Sequence, residues 1–339
     1  MDQITAIGLD ISKNVFDVHG VSSEGTVVLR KRLRSGHVVE FFATLPPCLV
    51  GLEACASAHH WSRELAACGH DVRQMPAQYV KPYVKRNKND RADAEACCEA
   101  VQRPGMRFVP TKTPAQQAEL VAHRVRDLLM RQRTALINTL RSHMAEFEII
   151  APKQPIKTAE LKAVIADASD ARLPAVARRA LKEVVAQLDA LERRTIELEK
   201  QIVRRLKTDP VAKHLLTVPG IGPIGAALLR ATVPDPTIFA SGRAFAAWLG
   251  LTPRERSTGG RTKLGHVSKR GNGHVRRLLV IGAVSTIFGS RRMGGEPWLA
   301  QLRGRKPLFV TAVALANKMA RICWAVMVRG TDYRVPAAA

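Results

Sequence analysis

The chain has few aromatic residues and few acidic ones. Phe, Trp and Tyr make up 5% of its 339 residues, and proteins that read single-stranded nucleic acid by base stacking need more of them. Asp and Glu number 29 against 53 Lys and Arg, which gives a formal net charge of +24. This excess indicates a polyanionic partner, such as DNA, RNA or an anionic membrane.

The sequence also lacks paired cysteines and an uninterrupted apolar segment. None of its six cysteines forms a C-x-x-C pair and no histidine is spaced to join them, so we expect no zinc site and free thiols in a reducing bacterial cytoplasm. The longest apolar run, 308–327, contains Lys318 and Arg321. It predicts a buried helix rather than a membrane span. The stretch MDQITAIGLDIS has no secretory signal pattern.

The positive charge is concentrated in the last third of the sequence. From Arg243 to Ala339 there are 18 Lys and Arg residues against three acidic residues. A solvated basic face is the ordinary explanation for a single cluster of charge. So large an excess in one segment instead favours contact with nucleic-acid phosphates.

The first hundred residues alternate between strand and helix patterns. Three short β-branched runs separated by turn residues predict an antiparallel meander, and helices and two further strands follow in the order βββαβαβα. This order is typical of ribonuclease-H-like folds and predicts a mixed sheet with helices on both faces. The stretch DISKN after the first strand lacks the phosphate-binding glycine of sugar kinases and actin-like ATPases.

Helical patterns dominate the rest of the chain. Residues 116–147 predict a long basic helix, and apolar residues from Leu181 to Ile202 recur at heptad spacing. That seam is explained equally well by packing against a helix of the same chain and by dimerisation. The overall expectation is an α/β domain, a helical or coiled-coil linker and a mainly helical C-terminal domain.

The stretch LLTVPGIGPIGAALL predicts a helix-hairpin-helix. Gly220 and Gly222 would let backbone N–H groups approach a phosphate at the start of the second helix. A helical hairpin that needs glycine only for packing is the alternative. A basic, glycine-rich loop follows, from Phe245 towards another buried helix, and loops of this kind hold donors around phosphates.

Four carboxylates form the strongest chemical pattern. Asp10 ends the first predicted strand, Glu53 ends the fourth, and Asp90 and Asp93 begin a helix. Adjacent strand ends and a helix start can bring them together, and four anions at close range require a cation, for which one or two Mg²⁺ ions are suited. Asp90 as an N-cap with Asp93 as its third-position partner is the alternative. Asp17 falls within a strand and is left out.

Several of these stretches together resemble one family. GLDISKNVFDVH, GLEACASAHHW, VKPYVKRNKNDRADAEACCEAVQRPGMRFVP, VPGIG, GLTPRERSTGGRTKLGHVSKRGN and VRRLL look like transposases of the insertion-sequence one-hundred-and-ten family, particularly its eleven-eleven branch. The resemblance implies a RuvC-like DEDD domain, a coiled-coil connection and a C-terminal domain with an essential serine. It also implies a DNA recombinase guided by a bridge RNA that pairs with donor and target DNA.

The resemblance assigns roles to individual residues. It makes Asp10, Glu53, Asp90 and Asp93 the metal ligands of a site for two Mg²⁺ ions. The serine falls in RERSTGGR, and Ser257 is the expected nucleophile of a phosphoserine intermediate, with Thr258 as the alternative register. A composite site and a homodimer or homotetramer would follow.

Domain boundaries and nucleic-acid contacts complete the prediction. We expect a catalytic domain at 1–110, a linker at 111–208 and a transposase domain at 209–335. The expected nucleic-acid-binding residues are Lys81, Lys85, Arg86, Lys88, Gly220, Gly222, Arg261, Lys263, Lys269, Arg270, Arg276 and Arg277. A hydrolytic RuvC-like nuclease acting on branched DNA, and a catalytically inactive nucleic-acid-binding protein, are the alternative functions.

Overall fold

The computed structural model describes residues 3–85, 89–150, 157–289 and 297–334. The chain divides into two compact units, Met1–Gln117 and Ala118–Ala339. The three-part division at residues 110 and 208 stays a prediction. Arg86 and Lys88, two of the expected nucleic-acid contacts, lie outside the described residues.

The first unit is built on a mixed five-stranded sheet. Its strands are β1 (Ala6–Ile11), β2 (Val15–Val21), β3 (Val27–Arg34), β4 (Leu49–Glu53) and β5 (Asp71–Met75). They lie in the order β3-β2-β1-β4-β5. The first three strands are antiparallel, and β4 runs parallel to β1 and β5. The predicted meander and mixed sheet are therefore confirmed.

Four α-helices accompany this sheet. They are α1 (Val38–Ala43), α2 (Ala58–Ala67), α3 (Ala77–Val80) and α4 (Asp90–Val101). Side chains of α1 and α2 share a core with alternate residues of β1, β2 and β4. Helix α4 packs on the opposite face, where it contacts β1, β2 and β4. Helices on both faces match the expected architecture.

The second unit is mainly helical. Its helices are α5 (Pro114–Ala145, which begins in the first unit), α6 (Lys157–Ala166), α7 (Ala175–Leu206), α8 (Pro210–Leu215), α9 (Pro223–Thr232), α10 (Gly242–Trp248), α11 (Gly273–Gly289), α12 (Pro297–Arg305) and α13 (Leu308–Arg329). A two-stranded hairpin, β6 (Pro253–Glu255) and β7 (Leu264–Val267), lies between α10 and α11.

The heptad seam of α7 packs within the chain. Leu181 and Leu188 share a core with Leu140 of α5 and with α6. Further along, Arg126 of α5 donates to Glu199 at 2.7 Å. Of the two explanations for the seam, packing against helices of the same chain is the one observed here.

Helix α13 is the centre of the second core. It is long and apolar enough to cross a membrane by length and composition alone, but its buried side chains pack with those of α9, α10 and α11. Leu315, Met319 and Cys323 are fully buried in this core. The predicted buried helix is therefore observed.

Candidate active site

Strand alternation places Asp10 and Glu53 on the same face of the sheet. Leu9 of β1 and Leu52 of β4 are fully buried in the core shared with α1 and α2. The next residue along each strand therefore points to the opposite face, towards α4. Leu9 lies directly opposite Leu52 in the parallel pair. The two carboxylates thus stand side by side at the carboxyl ends of adjacent strands.

Helix α4 comes close to this face because two strand positions lack a side chain. Gly8 and Gly51 are partners across β1 and β4. A Cβ at Gly8 would lie 2.0 Å from the carbonyl oxygen of Ala94, and one at Gly51 would lie 2.8 Å from that of Cys97. Both distances are shorter than a van der Waals contact allows. Glycine at these positions therefore fixes how closely the helix approaches the sheet.

Asn89 is the N-cap of α4. The Asn89 side-chain oxygen accepts a hydrogen bond from the backbone amide of Ala92 at 2.9 Å. The alternative in which Asp90 is the N-cap is therefore wrong, since Asp90 is the first helical residue. Asp90 and Asp93 share one side of the first turn, where the helix dipole favours negative charge.

The pKa of the Asp10 carboxyl group is raised by burial and by the neighbouring acidic residues. Burial raises its pKa to about 6, with further contributions from the charges of Asp93, Asp90, Asp17 and Glu53. The structure therefore brings Glu53, Asp90 and Asp93 within electrostatic range of Asp10. Their role as metal ligands stays a prediction.

Asp17 is a fifth carboxylate in this group, and the sequence interpretation left it out. It lies directly opposite Asp10 in the antiparallel pair of β1 and β2, so both side chains face α4. It is 4% exposed. Arg32 of β3, its partner in the next strand pair, donates to both of its carboxylate oxygens at 3.1 to 3.3 Å. Only the register of β1 against β2 places Asp17 beside Asp10, and the sequence does not specify that register.

A hard divalent cation suits these donors. Carboxylate oxygens are the ligands that Mg²⁺ prefers, and a cation would offset both the burial of the Asp10 carboxylate and its repulsion by the neighbouring acids, which together raise its pKa. Among the described residues, no group of three or more His, Cys, Asp or Glu side chains is already arranged around a metal position. The side chains would therefore have to turn towards an ion. That of Asp90 is 64% exposed and can change rotamer without disturbing the core.

Two predicted phosphate contacts lie in the segment before α4. Lys81 is exposed at the start of a 3₁₀ turn, Lys81–Tyr83. The Lys85 ammonium forms an ion pair with Glu95 of α4 at 3.1 Å, and its side chain is 70% exposed. Both lysines belong to the same unit as the carboxylates, and contact with nucleic acid stays a prediction for each.

Ser257 belongs to the exposed hairpin of the second unit. Thr258 and Arg261 form a bridge around Gly259 and Gly260, whose φ angles are +55° and +74°. Two successive left-handed residues are typical of the tight turn that suits a β-hairpin. The predicted loop is therefore partly strand, and the two glycines are required by its turn.

The Ser257 hydroxyl has a carboxylate neighbour. Its Oγ donates to Glu255 Oε1 at 2.7 Å and accepts from the backbone amide of Lys263 at 3.2 Å. Glu255 was not among the predicted site residues. Glu255 ends β6, two residues before Ser257, and this short, exposed strand has no apolar alternation that would reveal it in the sequence.

Comparison with known proteins decides the family. Residues 7–149 match a model of the IS110 DEDD transposase, described as a transposase, and residues 212–294 match the model described as Transposase IS116/IS110/IS902 family. A probable family 20 transposase of Pseudomonas aeruginosa is 47% identical over 98% of this chain and 99% of its own length. The chain belongs to the IS110/IS116/IS902 family of transposases.

Transposases of named insertion elements are among the relatives of this transposase. The transposase for IS1328 of Yersinia enterocolitica is 40% identical, covering 98% of this chain and 99% of its own length. The transposase for IS1111A of Coxiella burnetii is 34% identical, covering 99% and 93%. The resemblance drawn from the motifs, including the eleven-eleven branch, is therefore confirmed.

The two family models cover different candidate site residues. The DEDD match contains Asp10, Glu53, Asp90 and Asp93, and the second match contains Ser257. Family membership implies an enzyme that cleaves and recombines DNA, and a DEDD domain suggests dependence on a divalent metal.

Two arginines expected to bind nucleic acid make contacts within the transposase. Arg276 donates to the carbonyl oxygens of Leu249 and Arg270, at 2.9 and 3.1 Å. Arg277 forms an ion pair with Asp127 of α5. These contacts favour a structural contribution from both arginines. Their nucleic-acid contacts stay predictions.

Four other predicted contacts surround the hairpin. Arg261 and Lys263 lie between its strands, and both are exposed. Lys269 and Arg270 follow it, and Lys269 adopts a left-handed backbone with φ +55°. The Lys269 amide donates to the Gly250 carbonyl at 3.2 Å, which ties the base of the hairpin to the end of α10.

The predicted helix-hairpin-helix corresponds to α8, α9 and the segment between them. Gly222 is the N-cap of α9, where a phosphate would meet backbone amides. Gly220 has φ +82°, and a Cβ there would lie 2.5 Å from Thr286 Oγ1 and 2.7 Å from the Gly282 carbonyl oxygen. Packing against α11 therefore explains Gly220 directly. The phosphate-binding role of both glycines stays a prediction.

Proposed function

We propose that this transposase cleaves and rejoins DNA by Mg²⁺-dependent phosphoryl transfer through a phosphoserine at Ser257, guided by a bridge RNA. The metal-dependent part is supported by the position of Asp10 and Glu53 side by side on adjacent strands, on the face covered by the helix whose first turn carries Asp90 and Asp93. Such a group of carboxylates costs free energy unless a cation neutralises it. Asp10, Glu53, Asp90 and Asp93 would hold that cation in a RuvC-like domain.

Bound Mg²⁺ would stabilise negative charge on the attacking and leaving oxygens of the transferred phosphoryl group. Ser257 Oγ would form a bond to phosphorus while one bridging oxygen leaves and takes up a proton as a hydroxyl. The Glu255 carboxylate, 2.7 Å from Ser257 Oγ, is positioned to accept the serine proton. Attack by a hydroxyl of another strand would reverse these steps and regenerate the serine.

This route keeps the energy of the broken phosphodiester in the serine ester. Rejoining then needs no nucleoside triphosphate, as expected of a recombinase rather than a hydrolase. Water as the nucleophile would make the protein a nuclease instead. A covalent DNA adduct therefore separates the two reactions.

Contact with the backbones of DNA and guide RNA is supported by the charge and composition of the chain. The chain carries a net charge of +24 and few aromatic residues, which suits backbone contact more than base stacking. In such a complex base pairing would read the sequence, and protein cations would hold phosphates of both nucleic acids.

The test is an adduct assay on the full chain. Labelled duplex spanning the element junction is incubated with Mg²⁺, with and without RNA transcribed from the element's flanks. We expect an RNA-dependent, protease-sensitive adduct that is lost in Asp10→Ala and in Ser257→Ala. Cleavage without an adduct would identify a hydrolytic nuclease, and binding without cleavage would identify an inactive binding protein.

A further inference from the structure

A basic cleft lies beside the carboxylates of the first unit. It has a volume of about 370 Å³ and is bounded by β2, β3 and the first turns of α4. Arg30, Arg32 and Arg91 line it together with Asp17 and Glu95. Glu95 is already paired with Lys85. The cleft therefore has an excess of guanidinium groups next to a group of acids.

Arg32 is held in this cleft by a buried acid. Asp17 receives hydrogen bonds from Arg32 Nε and Nη2, the shortest at 3.1 Å. The Asp17 side chain is 6% exposed, whereas that of Arg32 is 54% exposed. The carboxylate is thus hidden below the guanidinium, and the cation faces the solvent. A guanidinium fixed in this way loses less side-chain entropy on meeting a ligand.

The same cation lies next to the proposed metal ligands. Arg32 Nη2 is 3.9 Å from Asp90 Oδ2, and Asp17 is the register partner of Asp10. Arg91, the residue after Asp90, has an 80% exposed side chain whose Nε lies 4.0 Å from Asp17 Oδ1. Two guanidinium groups therefore converge on one buried carboxylate at the edge of the acidic group.

We propose that this cleft binds a backbone phosphate of the DNA strand that is cut at the adjacent carboxylates. Arg32 and Arg91 bind the phosphate, and Asp17 is a positioning residue that orients Arg32. The inference rests on the proposed metal-dependent cleavage for the identity of the strand. Guanidinium groups match phosphate oxygens in geometry and charge.

Neutral DNA linkages test the contact directly. Single methylphosphonates are placed in turn along the cut strand of the junction duplex, and binding to the full chain with RNA is measured in EDTA. For the wild type, one linkage should weaken binding roughly tenfold. In Arg32→Gln the same linkage should cost only about threefold, because the phosphate has lost one of its two partners.

Arg103→Gln is the matched control. Arg103 follows the far end of α4, pairs with Glu99, and has a 52% exposed side chain, close to that of Arg32. This variant should keep the full sensitivity of the wild type. If Arg32→Gln also keeps it, or if no linkage of the cut strand weakens binding of the wild type, the proposal is overturned.

The variant Asp17→Asn distinguishes the orientation of Arg32 by Asp17 from the effect of the Asp17 charge on DNA binding. Removing an anion beside DNA strengthens binding if only net charge matters. If Asp17 orients Arg32, the sensitivity to the neutral linkage falls although the net charge rises. A melting temperature within a few degrees of the wild type shows that the variant is folded, and a folded Asp17→Asn that retains full sensitivity contradicts the positioning role.

These measurements do not depend on catalysis. If the linkage effect is found while no DNA is ever cleaved, the proposed function fails and the phosphate site stands. If DNA is cleaved through the carboxylates but Arg32→Gln keeps the wild-type linkage profile, the phosphate site fails alone.

Discussion

The carbonyl oxygen of Ala94 lies so close to Gly8 that a Cβ at Gly8 would be 2.0 Å away from it. This contact joins the third residue of β1 to the first turns of α4, and two residues later β1 carries Asp10. The placement of Asp90 and Asp93 near the strand ends therefore depends on a strand position without a side chain.

Replacing Gly8 by alanine should displace α4. We expect Gly8→Ala to lower the free energy of unfolding by about 3 kcal/mol, since the clash is with backbone atoms that cannot rotate away. Urea denaturation measures this loss. Gly105→Ala is the control, because a Cβ at Gly105 meets nothing within 4 Å. Equal stability of the two variants would show that α4 is not held in this way.

Replacing Asp10 by asparagine should stabilise the metal-free protein at neutral pH. The folded-state pKa of Asp10 is raised to about 6, so its favourable contribution is complete below the ordinary value of 3.8 and is lost as pH rises through about 6. We expect Asp10→Asn to add about 1 to 3 kcal/mol at pH 7.5 in EDTA. The gain should shrink at pH 4.5.

Asp71→Asn serves as the control for this measurement. Asp71 is an exposed carboxylate on β5, paired with Arg73, and its loss should change stability by less than about 0.5 kcal/mol. A gain for Asp10→Asn that is independent of pH would rule out the cost of ionising the buried Asp10 carboxyl group as its cause.

Arg276 and Arg261 should respond differently to the same substitution. Arg276→Gln removes two bonds to backbone carbonyls and should cost about 1 to 3 kcal/mol of stability. Arg261→Gln should leave stability unchanged and lower the slope of log K against log salt for DNA binding by about one. Thermal unfolding and salt titrations measure the two effects. Loss of stability in Arg261→Gln would argue against a nucleic-acid contact there.

The adduct should form on Ser257 and not on its neighbour. The Ser257 hydroxyl is oriented by Glu255, so Ser257→Ala should abolish the covalent product while Thr258→Val retains it. Peptide mapping of the protease-digested adduct identifies the modified residue. A DNA-linked peptide from Ser257→Ala modified at Thr258 would instead support the alternative register.

The elements that could be predicted are those specified by local pattern. Short apolar runs predict β1 and β4, which are buried at consecutive residues, and heptad spacing predicts α7, which buries one side. Asp10 and Glu53 are recognisable since each follows an apolar strand. The packing of the α7 seam depends on partners distant in sequence, so the pattern alone left two explanations.

What could not be predicted depends on register and close approach. Asp17 belongs beside Asp10 only because the turn between β1 and β2 pairs these two positions. The contact of Arg276 with Leu249 requires the chain to return across residues 250–270. The first strand of the hairpin, Pro253–Glu255, is exposed throughout, so it has no burial pattern to reveal it.

Sulfur substitution at the scissile phosphate tests the central claim most directly. One non-bridging oxygen of that phosphate is replaced by sulfur, and cleavage by the full chain is measured in Mg²⁺ and in Mn²⁺, which accepts sulfur ligands more readily. The account predicts strongly reduced cleavage in Mg²⁺, recovery in Mn²⁺, and none in either metal for Asp10→Asn. Cleavage by Asp10→Asn at the wild-type rate would contradict it.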